Sequence, residues 1–119
     1  MRYKDVLNKF PTEESAVRHY IAVEHPYGVN CYRCGSDKVY QEAKRYKVFY
    51  CNDCKSSFSL FKNTMYEKSS TDLRKWFYAI HLYISNPKYV TAARLQRELD
   101  VTYKTAWRML RQIELYEFK

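Results

Sequence analysis

CYRC at residues 31–34 and CNDC at residues 51–54 contain all four cysteines of the 119-residue chain. Each stretch is a C-x2-C pair, and sixteen residues separate the two pairs. Two residues between paired cysteines allow one tight turn to present both thiolates to one metal ion, and this spacing is typical of zinc sites. Four cysteine ligands complete a tetrahedral shell and leave no open position for a substrate. The pattern predicts one structural Zn²⁺, bound by Cys31, Cys34, Cys51 and Cys54.

Disulfides and a redox C-x-x-C are the two other uses of such cysteines. Disulfides belong to oxidising compartments, and the N-terminus MRYKD leads into no apolar signal sequence, so we expect a cytoplasmic protein with reduced thiols. A redox pair usually lies in a βαβ pattern, and neither pair does. Both observations favour zinc.

The charge of the chain indicates what kind of partner it binds. The formal net charge is +8, from 21 Lys and Arg against 13 Asp and Glu. This excess favours a polyanion, most often nucleic acid, although a basic protein without such a partner is an alternative. No apolar run approaches the ~18 residues that a membrane span requires. We therefore expect double-stranded DNA as the partner, no membrane segment and no small-molecule substrate.

The predicted fold is a small α+β fold of three parts, at residues 1–30, 31–62 and 63–119. The first part contains a helix that begins near Thr12 and ends at His25, because a residue before proline avoids helical backbone. The second part alternates Tyr, Val and Phe with polar residues, which predicts a zinc ribbon of two or three short antiparallel strands. We expect these strands at 38–42, 45–50 and 57–61.

The predicted ribbon has an excess of cations, with seven basic residues and three acids from Cys31 to Lys62. A basic, aromatic hairpin of this kind could lie against a phosphate backbone. It could equally be a solvated sheet whose tyrosines pack on helices. The sequence leaves both interpretations open.

The third part is predicted to be helical. Residues 69–72 open a helix that Asn86-Pro87 ends, and few of its positions are polar, so we expect it to be buried on more than one side. Its apolar stripe consists of Leu73, Trp76, Phe77, Ile80 and Ile84.

A helix-turn-helix is predicted at residues 90–116. Thr91 caps a short helix that runs through Leu99, and Thr102 caps a longer one that ends near Tyr116. Between the two helices, Asp100 occupies a position where glycine is usual. Aspartate is tolerable there if its backbone is left-handed.

The second helix of this pair has three basic residues and no acid from Thr102 to Ile113. Residues at the start of such a helix usually contact base edges, and flanking cations contact phosphates. Trp107 and Tyr103 lie at the edge of its apolar face, and we expect them to pack. An ordinary helical hairpin with a solvated basic face is the alternative. The candidate DNA contacts are Arg94, Thr102, Lys104, Thr105, Arg108, Arg111 and Gln112.

The order of motifs resembles the N-terminal region of bacterial insertion-sequence transposases of the Merlin/ISXO type. The resemblance rests on YGxxCxxCGS, CxxCxxxFS, NTMYEKSS, LRKWFYAI and LQRELDVTYKTAWRML, and it covers roughly residues 10–115. Two positions depart from the family pattern: Tyr32 replaces a usual proline and Asn63 a usual glycine.

The resemblance implies that the helix-turn-helix recognises transposon ends and that the ribbon assists it. In this family a DDE catalytic domain follows, with three carboxylates around Mg²⁺ or Mn²⁺. Only residues 114–119 remain after the acid-free stretch of the predicted helix-turn-helix, so we expect no catalysis from this chain. It would be a transposase fragment, a truncated derivative or a DNA-binding regulator, associated with the nucleoid when bound.

Two other functions compete with DNA recognition. A protein-interaction adaptor or transcriptional regulator would use the ribbon to dock a polymerase subunit or a second copy of the chain, with self-association as its sign. An enzyme would carry out metal-dependent strand transfer, which DNA nicking would reveal.

Overall fold

The computed structural model describes residues 2–62, 64–67 and 69–117. Within them it contains five α-helices and one three-stranded antiparallel sheet, which confirms the predicted small α+β class. The helices are α1 (Tyr3–Lys9), α2 (Glu13–Glu24), α3 (Leu73–Ser85), α4 (Ala92–Leu99) and α5 (Tyr103–Glu117), with a 3₁₀ helix at Pro87–Tyr89. The strands are β1 (Val39–Gln41), β2 (Val48–Cys51) and β3 (Ser56–Ser59).

The chain forms two compact units. The described residues up to Glu13 and from Ser70 onward form the helical unit, and Glu14–Ser69 form the ribbon unit. The division into three parts, at residues 1–30, 31–62 and 63–119, remains a prediction. Asn63, which departs from the family pattern, and Lys68 lie outside the described residues.

The sheet of the ribbon unit has the order β1-β2-β3. Its strands alternate between two faces, so Phe49 and Cys51 of β2 are buried while Val48 and Tyr50 lie on the other face. Phe49 lies opposite Phe58 of β3, and their rings stack 6.0 Å apart. On α2, Tyr20 packs edge-on against Phe61 at 5.1 Å. The ribbon unit therefore has its own aromatic core.

The helical unit is built on α3. Asp72 caps this helix by accepting a hydrogen bond from the Arg74 N–H at 2.8 Å. Leu73 and Trp76 are buried as expected, and Tyr78, Ala79 and Leu82 are buried too, so the helix is covered on more than one side. The assignment of Ile84 to the core is wrong, because 61% of this residue is exposed near the end of the helix.

Helix α1 was not anticipated from the sequence. It has seven residues, of which only Val6 is buried, so it has no apolar stripe that would reveal it. It packs against α3, and the Tyr3 ring lies 5.8 Å from the Tyr78 ring. Its position depends on contacts between residues far apart in the chain.

Candidate metal centre and nucleic-acid interface

Two similar turns position the four cysteines. In the first, the Gly35 N–H donates to the Cys31 carbonyl at 2.9 Å; in the second, the Lys55 N–H donates to the Cys51 carbonyl at 3.0 Å. Both donors have left-handed backbone, with φ of 72° and 58°. Glycine adopts this conformation without strain, whereas Lys55 does so at some cost. The turns are therefore built alike, and each directs two thiols to one side.

The four sulfur atoms lie together. The Sγ atoms of Cys31 and Cys54 are 3.6 Å apart, as are those of Cys34 and Cys51, and all four lie within 4.8 Å of one another. A tetrahedral zinc ion with Zn–S bonds of about 2.3 Å needs sulfurs roughly 3.8 Å apart. A disulfide would bring two sulfurs to about 2.05 Å, and the cysteines are free. This geometry is compatible with one zinc ion.

The polar surroundings of the cysteines support the same arrangement. The Cys54 N–H points at Cys51 Sγ at 3.5 Å, and Ser56 Oγ lies 3.1 Å from Cys54 Sγ. Ser36 Oγ donates to Asp53 Oδ2 at 2.5 Å and so links the two turns. Hydrogen bonds of this kind orient metal ligands and stabilise the charge on thiolates.

The pKa values of the Cys31 and Cys34 thiols shift in opposite directions. A hydrogen bond from the Cys34 backbone lowers the pKa of Cys31 to about 7. The Ser36 backbone lowers the pKa of Cys34, but desolvation and hydrogen bonds with the neighbouring thiols raise it to about 12. Four adjacent thiols do not all ionise without a compensating cation, and a divalent metal ion supplies that charge.

Helices α4 and α5 pack against each other and are joined by residues 100–102. Thr91 Oγ1 accepts from the Arg94 N–H at 3.1 Å, as predicted for a cap of α4. Asp100 ends α4 with φ 54° and ψ 53°, which confirms that the position is left-handed. Thr102 Oγ1 accepts from the Thr105 N–H at 3.2 Å and caps α5.

One face of α5 is buried, and it consists of Ala106, Met109 and Ile113. Of the candidate DNA contacts, Thr102, Lys104, Arg108 and Arg111 are exposed, while Thr105 and Gln112 are half-buried. Arg94 on α4 is engaged elsewhere, since its Nε donates to Glu98 Oε2 at 2.6 Å. No ion pair involves Lys104 or Arg108 among residues 2–62, 64–67 and 69–117.

The expectation that Trp107 and Tyr103 pack is wrong. Trp107 is 49% exposed and Tyr103 is 54% exposed. The Arg111 guanidinium lies over the Trp107 ring, 5.7 Å from its centroid. Both aromatics lie off the stripe formed by Ala106, Met109 and Ile113, so neither belongs to the core.

The sheet of the ribbon unit also exposes aromatic side chains. Tyr40 and Tyr50 lie opposite each other on β1 and β2, with ring centroids 5.4 Å apart. Tyr40 is 51% exposed, so it is not covered by a helix. The structure thus leaves this face open to solvent.

Comparison with known proteins gives a relative from a transposable element. An uncharacterized protein in transposable element ISH50 of Halobacterium salinarum is 31% identical over 109 residues. The match takes in 89% of this chain but 36% of that protein, so the chain spans about a third of its relative. No protein-family model matches the chain, and no solved structure matches it. In the described part of the chain, every helix is too short or too polar to cross a bilayer.

Proposed function

We propose that this chain is a zinc-stabilised, sequence-specific DNA-recognition module of a transposable-element protein. Its α4–turn–α5 segment acts as a helix-turn-helix, with α5 as the helix that reads DNA. The observation that carries this proposal is the exposed, acid-free cationic face of α5, formed by Lys104, Arg108 and Arg111.

The arrangement of α5 suits a DNA groove. Its buried side is anchored by Met109 and Ile113, so the cations on the opposite side are held by a fixed helix. A major groove about 12 Å wide admits such a helix, and cations there contact guanine edges or flanking phosphates. The half-buried Thr105 and Gln112 flank this face and would add polar contacts.

Similarity to a protein in transposable element ISH50 supports the biological setting. A transposable element needs proteins that recognise its ends, and a basic module with a structural metal suits that task. The finer assignment to the Merlin/ISXO type, with zinc in the cysteine cluster, belongs to the same proposal. We assign no catalytic step to the residues described.

Substitution of Arg108 tests the proposal. A duplex is first selected from a random-sequence library on the zinc-loaded chain. Arg108→Ala should then weaken binding to that duplex by about 1–3 kcal/mol and weaken binding to random DNA less, because a base contact is lost. The control is Arg18→Ala, which removes an exposed arginine paired with Glu14 on α2.

A salt titration accompanies this comparison. The logarithm of the binding constant should fall linearly with the logarithm of salt concentration, with a slope of about −0.9 per neutralised phosphate. Equal losses on both DNAs would make Arg108 a phosphate contact. Failure to select any duplex would refute sequence-specific recognition.

A further inference from the structure

The two tryptophans of the chain have opposite environments. Trp76 on α3 is 3% exposed, whereas Trp107 on α5 is 49% exposed. Burial of an aromatic side chain is one of the largest apolar contributions available to a small protein. Leaving half of an indole in water forgoes much of that contribution, and it keeps this surface of Trp107 available to a ligand.

Trp107 lies within the cationic face of α5. With 3.6 residues per turn, a line through Lys104 and Arg111 runs opposite the buried stripe, and Trp107 and Arg108 flank this line on its two sides. A surface that contacts Lys104, Arg108 and Arg111 together therefore also meets the indole. Acids begin only at Glu114, two turns beyond Trp107.

Arg111 holds the exposed indole in place. Its guanidinium lies 5.7 Å from the ring centroid, one helical turn away from Trp107. A cation above one face of the ring restrains the rotamers of both side chains before any ligand arrives. The pair thus presents an apolar edge beside a fixed positive charge.

We propose that Trp107 contacts DNA directly, with its indole packed against the C5 methyl group of a thymine in the major groove. This inference rests on the proposed function of α5 and adds a specificity-determining residue to it. The thymine methyl is the apolar group in the major groove that apolar side chains read. A second copy that presented the same face is the less suitable occupant, because it would bring three cations against these three.

Tryptophan fluorescence gives the first test. Acrylamide should quench the exposed Trp107 of the zinc-loaded chain, and the selected duplex should protect it. Trp107→Phe keeps only the buried Trp76, so its emission should not respond to the duplex. Unchanged quenching of a chain that is saturated with DNA would overturn the inference while leaving the proposed function intact.

Removal of single thymine methyl groups gives the second test. Each thymine of the selected duplex is replaced by deoxyuracil, and one replacement should weaken binding by about fourfold, as expected for one buried methyl group. Trp107→Ala should be insensitive to that same replacement. Tyr116→Ala, at an exposed aromatic beyond Glu114 on the same helix, should keep the fourfold effect.

The remaining outcomes are also decisive. If wild type and Trp107→Ala lose affinity equally at every thymine, the indole does not read a methyl group. If Trp107 becomes protected at high protein concentration without DNA, a second copy covers it and the inference is wrong. If no duplex binds at all, the proposed function and this inference fail together.

Discussion

At the scale of single residues, Asp100 is the residue at which α4 ends and the turn to α5 begins. Its φ of 54° is a conformation that L-residues with a side chain adopt at a cost of about 1 kcal/mol. The backbone N–H groups of Asp100 and Val101 both point at the Gln96 carbonyl, which ends the helix. This strained conformation allows the backbone to change direction within the three residues that join α4 to α5.

Substitutions at Asp100 should rank by their tolerance of this conformation. Asp100→Gly should raise the free energy of unfolding by up to about 1 kcal/mol, since relief of strain exceeds the added freedom of the unfolded chain. Asp100→Val should lower it by about 1–2 kcal/mol, because a β-branched residue is poorest in this region. Urea unfolding followed by tryptophan fluorescence measures both. A valine variant as stable as the glycine variant would contradict the argument.

At the scale of elements, one hydrogen-bonded group joins α3 to α4. Tyr78 Oη donates to Glu98 Oε1 at 2.8 Å, and Arg94 donates to the other carboxylate oxygen at 2.6 Å. Burial, the hydrogen bond to Glu98 and the negative charge of Glu98 together raise the pKa of Tyr78 to about 12, with burial the largest cause. Burial alone would raise the pKa of Glu98, but the bonds from Arg94 and Tyr78 lower it. Arg94 therefore has a structural partner in addition to any DNA contact.

The Tyr78 hydroxyl should make a pH-dependent contribution to stability. Its folded pKa lies above the unfolded value near 10, so the contribution is complete below about pH 10 and is lost as the pH rises to about 12. Tyr78→Phe should be less stable than wild type by about 1 kcal/mol near pH 8, and this gap should close toward pH 12. Urea unfolding across this range measures the gap. Tyr89→Phe is the control at an exposed tyrosine, and a pH-independent gap for Tyr78→Phe would refute the assignment.

Elements with a strong local signal could be predicted, and those that depend on distant contacts could not. The capping threonine, apolar stripe and turn residue identified α4 and α5, and period-two alternation identified the strands. Helix α1 has no such signal. The contacts that link the segment after α1 to α3 are hydrogen bonds from the Leu73 N–H to Glu13 Oε2 at 2.9 Å and from Arg74 to the Pro11 carbonyl at 3.1 Å. Each spans about sixty residues, beyond the reach of local patterns.

The candidate site also has a part that the sequence predicted and a part that it did not. Cysteine spacing alone predicted which four side chains converge, because a metal allows few geometries for C-x2-C pairs. The exposure of Trp107 and Tyr103 was misjudged, because an aromatic beside an apolar stripe resembles a core residue in the sequence. Only the packing of the folded chain determines whether such an aromatic is buried or exposed.

At the scale of the whole molecule, each of the two units has its own core and its own spectroscopic probes. Both tryptophans, Trp76 and Trp107, belong to the helical unit, and all four cysteines belong to the ribbon unit. Tryptophan emission therefore reports on the helical unit, while tyrosine and backbone signals include the ribbon. This distribution allows the stability of each unit to be followed in one sample.

Removal of the metal should unfold the ribbon unit and leave the helical unit folded. A structural zinc site contributes its binding free energy to folding, and three short strands are not stable without it, even with the aromatic core of the ribbon unit. The helical unit keeps its own core, which includes Leu73, Leu95, Leu99, Met109 and Ile113. A strong chelator should therefore abolish the strand signals in NMR spectra and leave the emission of Trp76 unchanged.

Two variants separate this effect from a general loss of stability. Cys51→Ser removes a fully buried ligand and should reproduce the effect of chelation without any chelator. Ser57→Ala, at an exposed position on β3, should keep a metal stoichiometry of one and intact strand signals. Simultaneous loss of the strand signals and the Trp76 environment in Cys51→Ser would show that the two units fold as one. Unchanged strand signals after complete removal of the metal would show that the cysteine cluster does not stabilise the sheet.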